Sequence, residues 1–207
     1  MAAAFEPLME ERRYAIYYTT PADHPLTKVA EAWLGRSAFV DCRTGSGKID
    51  AGSEGSPRAG VISEPRRYGF HATLNAPSRL AEGTAVEDLE AALAGFANIT
   101  RPCPFGPLRV RLPGGVFALM PMQPIIGVSA FAASVVEAPD RFRFHMTLTN
   151  RIVQEDRAGT AADLYGRFGT LLDEDYSTDA LALVEQAHPD VDFVVRQHFA
   201  LDPEATV

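Results

Sequence analysis

The sequence predicts an α+β fold of two similar lobes, and three observations lead to this prediction. Short runs rich in aromatic and β-branched residues, which are typical of strands, recur along the chain. Between them lie segments whose apolar residues return at helical spacing. One short motif also occurs twice, and the order strand, helix, motif strand, helix surrounds each copy. This weak internal duplication predicts two lobes related by a pseudo-twofold axis.

Composition places the chain among ordinary globular proteins. It has 207 residues, 46% of them hydrophobic and 22% charged, so it can bury a core as a single domain over residues 1–207. A formal net charge of −8 argues against long nucleic acid as a partner, because that usually requires a basic face. A small phosphorylated ligand depends instead on its local site. Nearly all of the basic residues are arginines, which suit planar oxyanions.

Targeting features point to the cytoplasm. The first residues lack the basic-then-apolar order of a secretory signal, and no apolar run approaches the ~18 residues of a membrane helix. Cys42 and Cys103 have no CxxC spacing, which favours reduced thiols. We therefore expect a cytoplasmic protein without membrane contact, and the sequence leaves the oligomeric state open.

The first half of the chain predicts two strands and two helices. Residues 13–20 (RYAIYYTT) predict a strand that ends before Pro21, and residues 26–34 predict a helix that Gly35 stops. Residues 43–60 are rich in glycine and serine and predict a flexible loop. The first motif strand is expected at 68–76. The capping-box pattern from Thr84 to Glu87 predicts a helix that runs to about residue 96.

The second half predicts a connector, a hairpin and a second motif strand. Three prolines mark residues 101–107 as a connector, and Pro113-Gly114-Gly115 predicts a hairpin turn. The expected elements are hairpin strands at 108–112 and 116–120, a short helix at 125–136, the second motif strand at 141–151, a helix at 160–172, and strands at 180–185 and 193–201.

The repeated motif is Phe-His-x-Thr-Leu, in RRYGFHATL and RFRFHMTLT. Side chains alternate faces along a strand, so each copy predicts one apolar and one polar face. The polar faces are expected to carry Arg67, Gly69, His71, Thr73 and Asn75 in one copy, and Arg141, Arg143, His145, Thr147 and Thr149 in the other. On a regular strand Tyr68 would point away from His71. Tyr14, Tyr17 and Tyr18 are expected in the core or in the wall of a cleft.

This polar face suits phosphoester chemistry. Histidine and threonine two residues apart project side by side, roughly 6 to 7 Å apart. An imidazole exchanges a proton near neutral pH, and a hydroxyl donates a hydrogen bond to a phosphate oxygen. Two such strands across a cleft would give one base and one acid around one phosphate, each worth roughly 10²- to 10⁴-fold. A single His-x-Thr is a common accident; two matched copies are not. The residues leave open which histidine is the base.

The paired motifs His71-Ala72-Thr73-Leu74 and His145-Met146-Thr147-Leu148 resemble the HxTx motifs of the two-histidine (2H) phosphoesterase superfamily. Further segments resemble a bacterial group associated with phosphonate-utilisation operons. They are RYAIYY, EAWLG, EPRRYGFHATL, GGVFALMP and FRFHMTL. The resemblance implies a bilobal fold of two antiparallel sheets with flanking helices and a central cleft. It implies metal-independent cleavage of a cyclic phosphate or a 2′-5′ phosphodiester in a small nucleotide or sugar phosphate, without a cofactor.

Carried onto this sequence, the resemblance implies His71 and His145 as the acid–base pair and Thr73 and Thr147 as phosphate binders. Beyond that, the predicted strand faces make Arg143 and Arg67 the best additional phosphate contacts, with ion pairs to acidic residues as their alternative role. The sequence departs from the narrower group in two ways. Asn75 stands where lysine is common, and the segment before the second motif is short.

Other functions have weaker support. The rival class is a binding module that keeps the phosphate cleft and recognises nucleotides or RNA ends without turnover. The five histidines show no HExxH or Cys/His ligand spacing, so we expect no metal site. Gly45-Ser46-Gly47-Lys48 has glycines too close together for a phosphate-binding loop, and Ile49 follows where serine or threonine is required. His24, His188 and His198 are expected to be surface or structural residues.

Overall fold

A computed structural model describes residues 12–39, 57–123 and 143–205. Most of the loop expected at 43–60, the helix expected at 125–136 and Arg141 lie outside these residues. The strands are β1 (Arg13–Tyr18), β2 (Ala72–Ser78), β3 (Cys103–Gly106), β4 (Leu108–Arg111), β5 (Val116–Pro121), β6 (Met146–Arg151), β7 (Tyr176–Thr178), β8 (Ala180–Gln186) and β9 (Val194–Ala200). The helices are α1 (Pro25–Leu34), α2 (Pro57–Tyr68), α3 (Val86–Asn98) and α4 (Arg157–Phe168).

The strands form two antiparallel sheets, which confirms the predicted α+β class. The larger sheet has seven strands in the order β4-β5-β6-β2-β1-β8-β9, and the smaller one pairs β3 with β7. The two motif strands, β2 and β6, are neighbours at the centre of the larger sheet. They are joined by a single residue pair, Ala72 with Met146. The larger sheet is therefore two half-sheets that meet at the first residues of the motif strands.

The strand order has the pseudo-twofold arrangement that the repeated motif predicts. One half of the chain runs β1, β2, α3, β3, β4, and the other runs β5, β6, α4, β7, β8. Equivalent strands pair across the axis, β2 with β6 and β3 with β7. The last strand of each half pairs with the first strand of the other, since β4 pairs with β5 and β8 with β1. Strand β9 is an additional edge strand.

Strand β1 separates two hydrophobic clusters that the described residues form. Tyr14, Ile16 and Tyr18 belong to the main core, which also contains residues of helices α1 to α4. Ala15 and Tyr17 alternate with them and pack on the opposite face of the sheet. The main core is fastened to the second motif strand by the buried Trp33, whose indole N–H donates to the carbonyl of Leu148 at 2.7 Å.

Both motif strands begin later than predicted, at Ala72 and Met146 instead of 68 and 141. Helix α2 runs to Tyr68, although Pro65 lies inside it. The side chain of Asn150 holds this helix against β6, because its amide bonds to Gly60 and Ser63 and accepts from the Glu64 N–H. Long-range hydrogen bonds from Asn150 therefore stabilise a helix in a segment whose local sequence favours an extended chain.

Two further predictions need correction. The connector expected at 101–107 contains β3, which the two-stranded pairing with β7 stabilises despite its proline. Helix α3 is capped by Asp88, whose carboxylate accepts from the Ala85 N–H at 2.9 Å, and not by Thr84 and Glu87. The strand at β1, the helix ended by Gly35 with φ 71°, the β4–β5 hairpin, helix α4 and strands β8 and β9 are confirmed.

Within the described part of the chain, no helix has both the length and the apolar character needed to cross a bilayer. The prediction of a single domain over residues 1–207 stays a prediction.

Candidate active site

The first histidine follows a turn that only glycine fits well. Gly69 has φ 77°, and its N–H donates to the carbonyl of Pro65 at 3.0 Å, which ends helix α2. A Cβ atom at this position would lie 2.6 Å from the Cβ of Ala38. The buried Arg36 donates to the carbonyls of Arg66 and Arg67 at 2.9 and 3.0 Å. The junction that carries His71 into β2 is thus fixed from both sides.

Hydrogen bonds define the orientation of His71. Its Nδ1 lies 2.9 Å from the carbonyl oxygen of Gly69, which can only accept, so Nδ1 carries a proton. Its Nε2 lies 3.2 Å from the hydroxyl of Thr73. In the neutral ring Nε2 is unprotonated and accepts from that hydroxyl. His71 and Thr73 therefore form a pair in which the lone pair of Nε2 is directed at the threonine.

Aromatic side chains cover the ring of His71. Tyr17 stacks on it with ring centroids 3.8 Å apart and planes inclined by 20°. The ring of Tyr68 lies 6.1 Å from His71 and stacks on Phe193. The prediction that Tyr68 points away from His71 is wrong, because Tyr68 ends a helix and is not part of the strand.

This enclosure controls the charge of His71. Burial lowers the pKa of its imidazole to about 4. The Gly69 carbonyl partly opposes the lowering of the pKa, and the nearby His145 adds to it. His71 is therefore uncharged at neutral pH and available as a proton acceptor.

The second histidine repeats the backbone hydrogen bond of the first. Nδ1 of His145 lies 2.6 Å from the carbonyl oxygen of Arg143, two residues earlier, as in the pair His71 and Gly69. Here too the bonded Nδ1 carries the proton, which leaves Nε2 for other partners. The shared bond follows from the common position of both histidines, one residue before a motif strand.

Strand register brings the four motif side chains to one place. Ala72 pairs with Met146 in an antiparallel ladder, so continuing the register by one residue sets His71 opposite Thr147 and Thr73 opposite His145. Such opposite residues have Cβ atoms about 5 Å apart, and the two histidines, diagonal in this square, are about 7–8 Å apart. In this extended register each histidine would stand opposite the threonine of the other motif.

Both predicted arginines lie outside the motif strands. Arg67 lies in the last turn of α2, so the expectation that it shares a strand face with His71 is wrong. Its carbonyl accepts from Arg36 and from the N–H of Phe193. Arg143 is exposed and its carbonyl orients His145. Whether either guanidinium contacts a phosphate stays a prediction.

Equivalent positions on the strands next to the motifs differ. Tyr17 pairs with Thr73, and Ala118 pairs with Thr147, so Ala118 stands where Tyr17 stands in the other half. Beyond them in the sheet lie Ala182 on β8, which pairs with Tyr17, and Arg111 on β4, which pairs with Ala118. The sequence did not single out the Tyr17 contact or Arg111, because both depend on pairing between strands distant in sequence.

The other histidines have structural contacts. His24 caps α1 through Nδ1, which accepts from the Leu26 N–H at 3.1 Å. His198 lies 3.2 Å from the Thr19 carbonyl through Nε2, and His188 lies beside Asp190 in a turn. Over the residues that the structure describes, no three His, Cys, Asp or Glu side chains are grouped in a way that could hold a metal ion.

A known family matches this chain. The family model described as "Protein of unknown function (DUF1045)" matches residues 73–143 and 139–194, which is more than half of the chain. The matched residues include Thr73, His145 and Thr147.

Two curated proteins are similar in sequence, and both are named Ribose 1,5-bisphosphate phosphokinase PhnN. The one from Janthinobacterium sp. (strain Marseille) is 31% identical over 201 residues, which are 91% of this chain and 43% of the relative. The one from Laribacter hongkongensis (strain HLHK9) is 32% identical over 129 residues, 62% of this chain and 30% of the relative. The chain thus spans less than half the length of these relatives.

Solved structures of E. coli LigT also align. The complex with 3'-AMP has 19% identity and a TM-score of 0.46, and the complex with NADP+ has 16% identity and a TM-score of 0.47. Both alignments cover 92% of this chain and 98% of LigT.

Proposed function

Because the chain belongs to the DUF1045 family, whose description names no activity, we propose a function from its site: a 2H-type phosphoesterase. It hydrolyses a cyclic phosphate or a 2′-5′ phosphodiester of a small nucleotide or sugar phosphate in the cytoplasm. The two histidines act as general acid and base, and neither metal nor cofactor takes part.

The observation that carries the proposal is the crossed arrangement of the two His/Thr pairs. Antiparallel pairing of Ala72 with Met146 supports this arrangement, because extending the register by one residue would set each histidine opposite the threonine of the other motif. A phosphoryl group above this square would touch two hydroxyls and two Nε2 atoms. In-line displacement needs proton transfer on opposite sides of phosphorus, and the diagonal placement of the histidines supplies that geometry.

Within the proposal, His71 is the base. Its Nε2 holds a lone pair at neutral pH, and the bond from Nδ1 to the Gly69 carbonyl stabilises the proton gained. Water gives one proton to this Nε2 while its oxygen bonds to phosphorus. The Thr73 hydroxyl, which donates to Nε2 in the free protein, turns to a phosphate oxygen when substrate binds.

His145 is then the acid. The bond between phosphorus and the leaving oxygen breaks, and protonated Nε2 of His145 gives its proton to that oxygen. Thr147 donates to a second non-bridging oxygen, and Arg143 and Arg67 attract the anion. One water is consumed for each diester cleaved, and solvent returns the proton from His71 to His145.

The substrate class rests on the resemblance and on the names of the relatives. The motif resembles enzymes that act on cyclic phosphates, and the curated relatives are named for a ribose bisphosphate. We therefore include cyclic sugar phosphates, such as those expected in phosphonate breakdown, beside nucleotides in the substrate panel.

The test is turnover in EDTA on 2′,3′-cyclic nucleotides, 2′-5′ dinucleotides and cyclic phosphoribose. Wild-type protein should hydrolyse at least one of them, and His188→Ala, in an exposed turn, should match it. His71→Ala and His145→Ala should each lose at least 100-fold in kcat. Tight binding of the same ligands without hydrolysis by the wild type would favour the rival, a binding module.

A further inference from the structure

The two motif histidines share a backbone hydrogen bond but not a neighbour. Tyr17 stacks on His71, and the position equivalent to Tyr17 in the other half is Ala118, which has no ring to offer. The two halves are alike within the motif and differ on the strand beside it. The difference singles out Tyr17 as a contact of His71 that the strand beside the second motif does not repeat.

Geometry shows what Tyr17 contributes. Its side chain is 1% exposed and belongs to a cluster with Phe193, so its ring is held rigidly by the sheet. The Nδ1 bond to the Gly69 carbonyl fixes rotation of the imidazole about its side-chain bonds, and a parallel ring at 3.8 Å fixes the plane. The same ring removes water from one face of the imidazole.

The charged and titratable groups around this pair come from four elements. Tyr17 and Arg13 are on β1, Tyr68 is on α2, and His145 precedes β6. Thr73 on β2 contributes a hydroxyl. Burial also raises the pKa of the Tyr17 hydroxyl, so Tyr17 is neutral wherever His71 titrates. Its effect on His71 is therefore one of contact and desolvation, not of charge.

We propose that Tyr17 is a positioning residue: its ring fixes the plane of the His71 imidazole and shields it from water, so that the first histidine is kept ready to receive a proton. The role of His71 as base rests on the proposed function, whereas the effect of Tyr17 on its protonation does not. Support comes from the low pKa of His71, which has burial as its main cause.

The experiment follows the imidazole protons of His71 by NMR between pH 3 and pH 8, with the assignment made by loss of the signal in His71→Gln. Wild type and Tyr17→Phe, which keeps the ring, should titrate alike. Tyr17→Ala exposes the imidazole and should raise its pKa toward the ordinary value of about 6.5. Tyr17→Leu fills the space without a flat ring and covers the case in which Tyr17→Ala does not fold.

Ile16→Ala is the matched control, since Ile16 is the next residue on the same strand and faces the main core. It should lower stability without moving the His71 titration. An unchanged titration in folded Tyr17→Ala or Tyr17→Leu, or an equal shift in Ile16→Ala, would overturn the proposal.

A rate measurement separates this proposal from the proposed function. If hydrolysis depends on neutral His71, the acid limb of the kcat profile should move with the titration. At pH 5, kcat of Tyr17→Ala relative to its value at pH 8 should then fall roughly tenfold below the wild-type ratio. A shifted titration in a protein that hydrolyses nothing would refute the proposed function and leave the Tyr17 contact established. A shifted titration with an unmoved acid limb would refute His71 as the base.

Discussion

The two halves of the site teach how a repeated motif acquires two different environments. His71 and His145 each bond through Nδ1 to the carbonyl two residues earlier, so the motif and its position before a strand determine orientation. Their surroundings differ because Tyr17 and Ala118 occupy equivalent places on the neighbouring strands. Tyr17, a residue outside the motif, therefore sets the cover over His71.

The largest expected effect comes from removing either histidine. His71→Ala and His145→Ala should each lower kcat by roughly 10²- to 10⁴-fold, because both proton transfers belong to one displacement. The double variant should be little worse than either single one, since the two groups act as a unit. Steady-state rates in EDTA check this. Additive losses in the double variant would show that the two histidines act independently.

Replacement of Gly69 should lower stability strongly, although the equivalent residue before the second motif is Arg143. Gly69→Ala adds a left-handed backbone penalty of about 1–2 kcal/mol and a Cβ 2.6 Å from that of Ala38, so we expect a loss of about 3 kcal/mol in unfolding free energy. Urea denaturation measures it. Gly83→Ala, at φ 80° with open space around it, is the control for the backbone penalty alone. Equal losses of unfolding free energy at both glycines would show that Ala38 shifts to make room for the added Cβ.

Stability should fall with acid through His71 in particular. The pKa of His71 is about 4 in the folded protein and about 6.5 unfolded, so the unfolded chain binds more protons between these values. This contribution is fully present above pH 6.5 and is lost as the pH falls toward 4, by an amount on the order of 1–3 kcal/mol.

Urea midpoints of wild type, His71→Gln and His188→Gln at pH 7 and pH 4.5 test that dependence. The drop between the two pH values should shrink in His71→Gln and persist in His188→Gln. A drop of the same size in all three proteins would assign acid sensitivity to other groups.

Substitutions of the two threonines should have more similar effects than substitutions of the two histidines. Thr73→Val and Thr147→Val each remove one hydrogen bond to a charged phosphate oxygen, worth about 1.5–3 kcal/mol, so kcat/KM should fall roughly 10- to 100-fold in both. A tenfold or greater difference in kcat/KM between the two variants would mean that one threonine binds the phosphate more strongly than the other.

The smallest expected effect is at Arg111, which is exposed and pairs with Ala118, whereas the equivalent partner of Tyr17 is Ala182. The described part of the chain offers it no carboxylate within ion-pair distance. Because Ala118 is small, the long side chain can extend across it toward Thr147. Arg111→Ala should raise KM several-fold for an anionic substrate and leave kcat unchanged, whereas an unchanged KM would place the arginine outside the site.

Strand alternation predicted His71 beside Thr73 without knowledge of the fold, and the structure has these two side chains in contact. Sequence patterns also predicted β1, α1 and the β4–β5 hairpin, where turn residues and local periodicity decide the structure. They could not predict the crossed register, because a single pair between distant strands, Ala72 with Met146, determines it.

The errors have the same origin. Residues 57–68 contain Pro65 and suggest an extended chain near Tyr68, yet Asn150 on β6 holds them as helix α2. Tyr17 could be assigned to core or cleft only after its pairing with Thr73 was known. Local sequence thus determines which side chains the motifs present, and long-range pairing determines what surrounds them.

The central claim is that one phosphate engages both halves. Inorganic phosphate added in EDTA, with the imidazole signals of His71 and His145 followed by NMR, tests it most directly. Both signals should shift along saturation curves with one common Kd, while His188 stays unmoved and His145→Gln weakens the response of His71. A response at only one motif histidine, or two different Kd values, would contradict a single site built by the two halves.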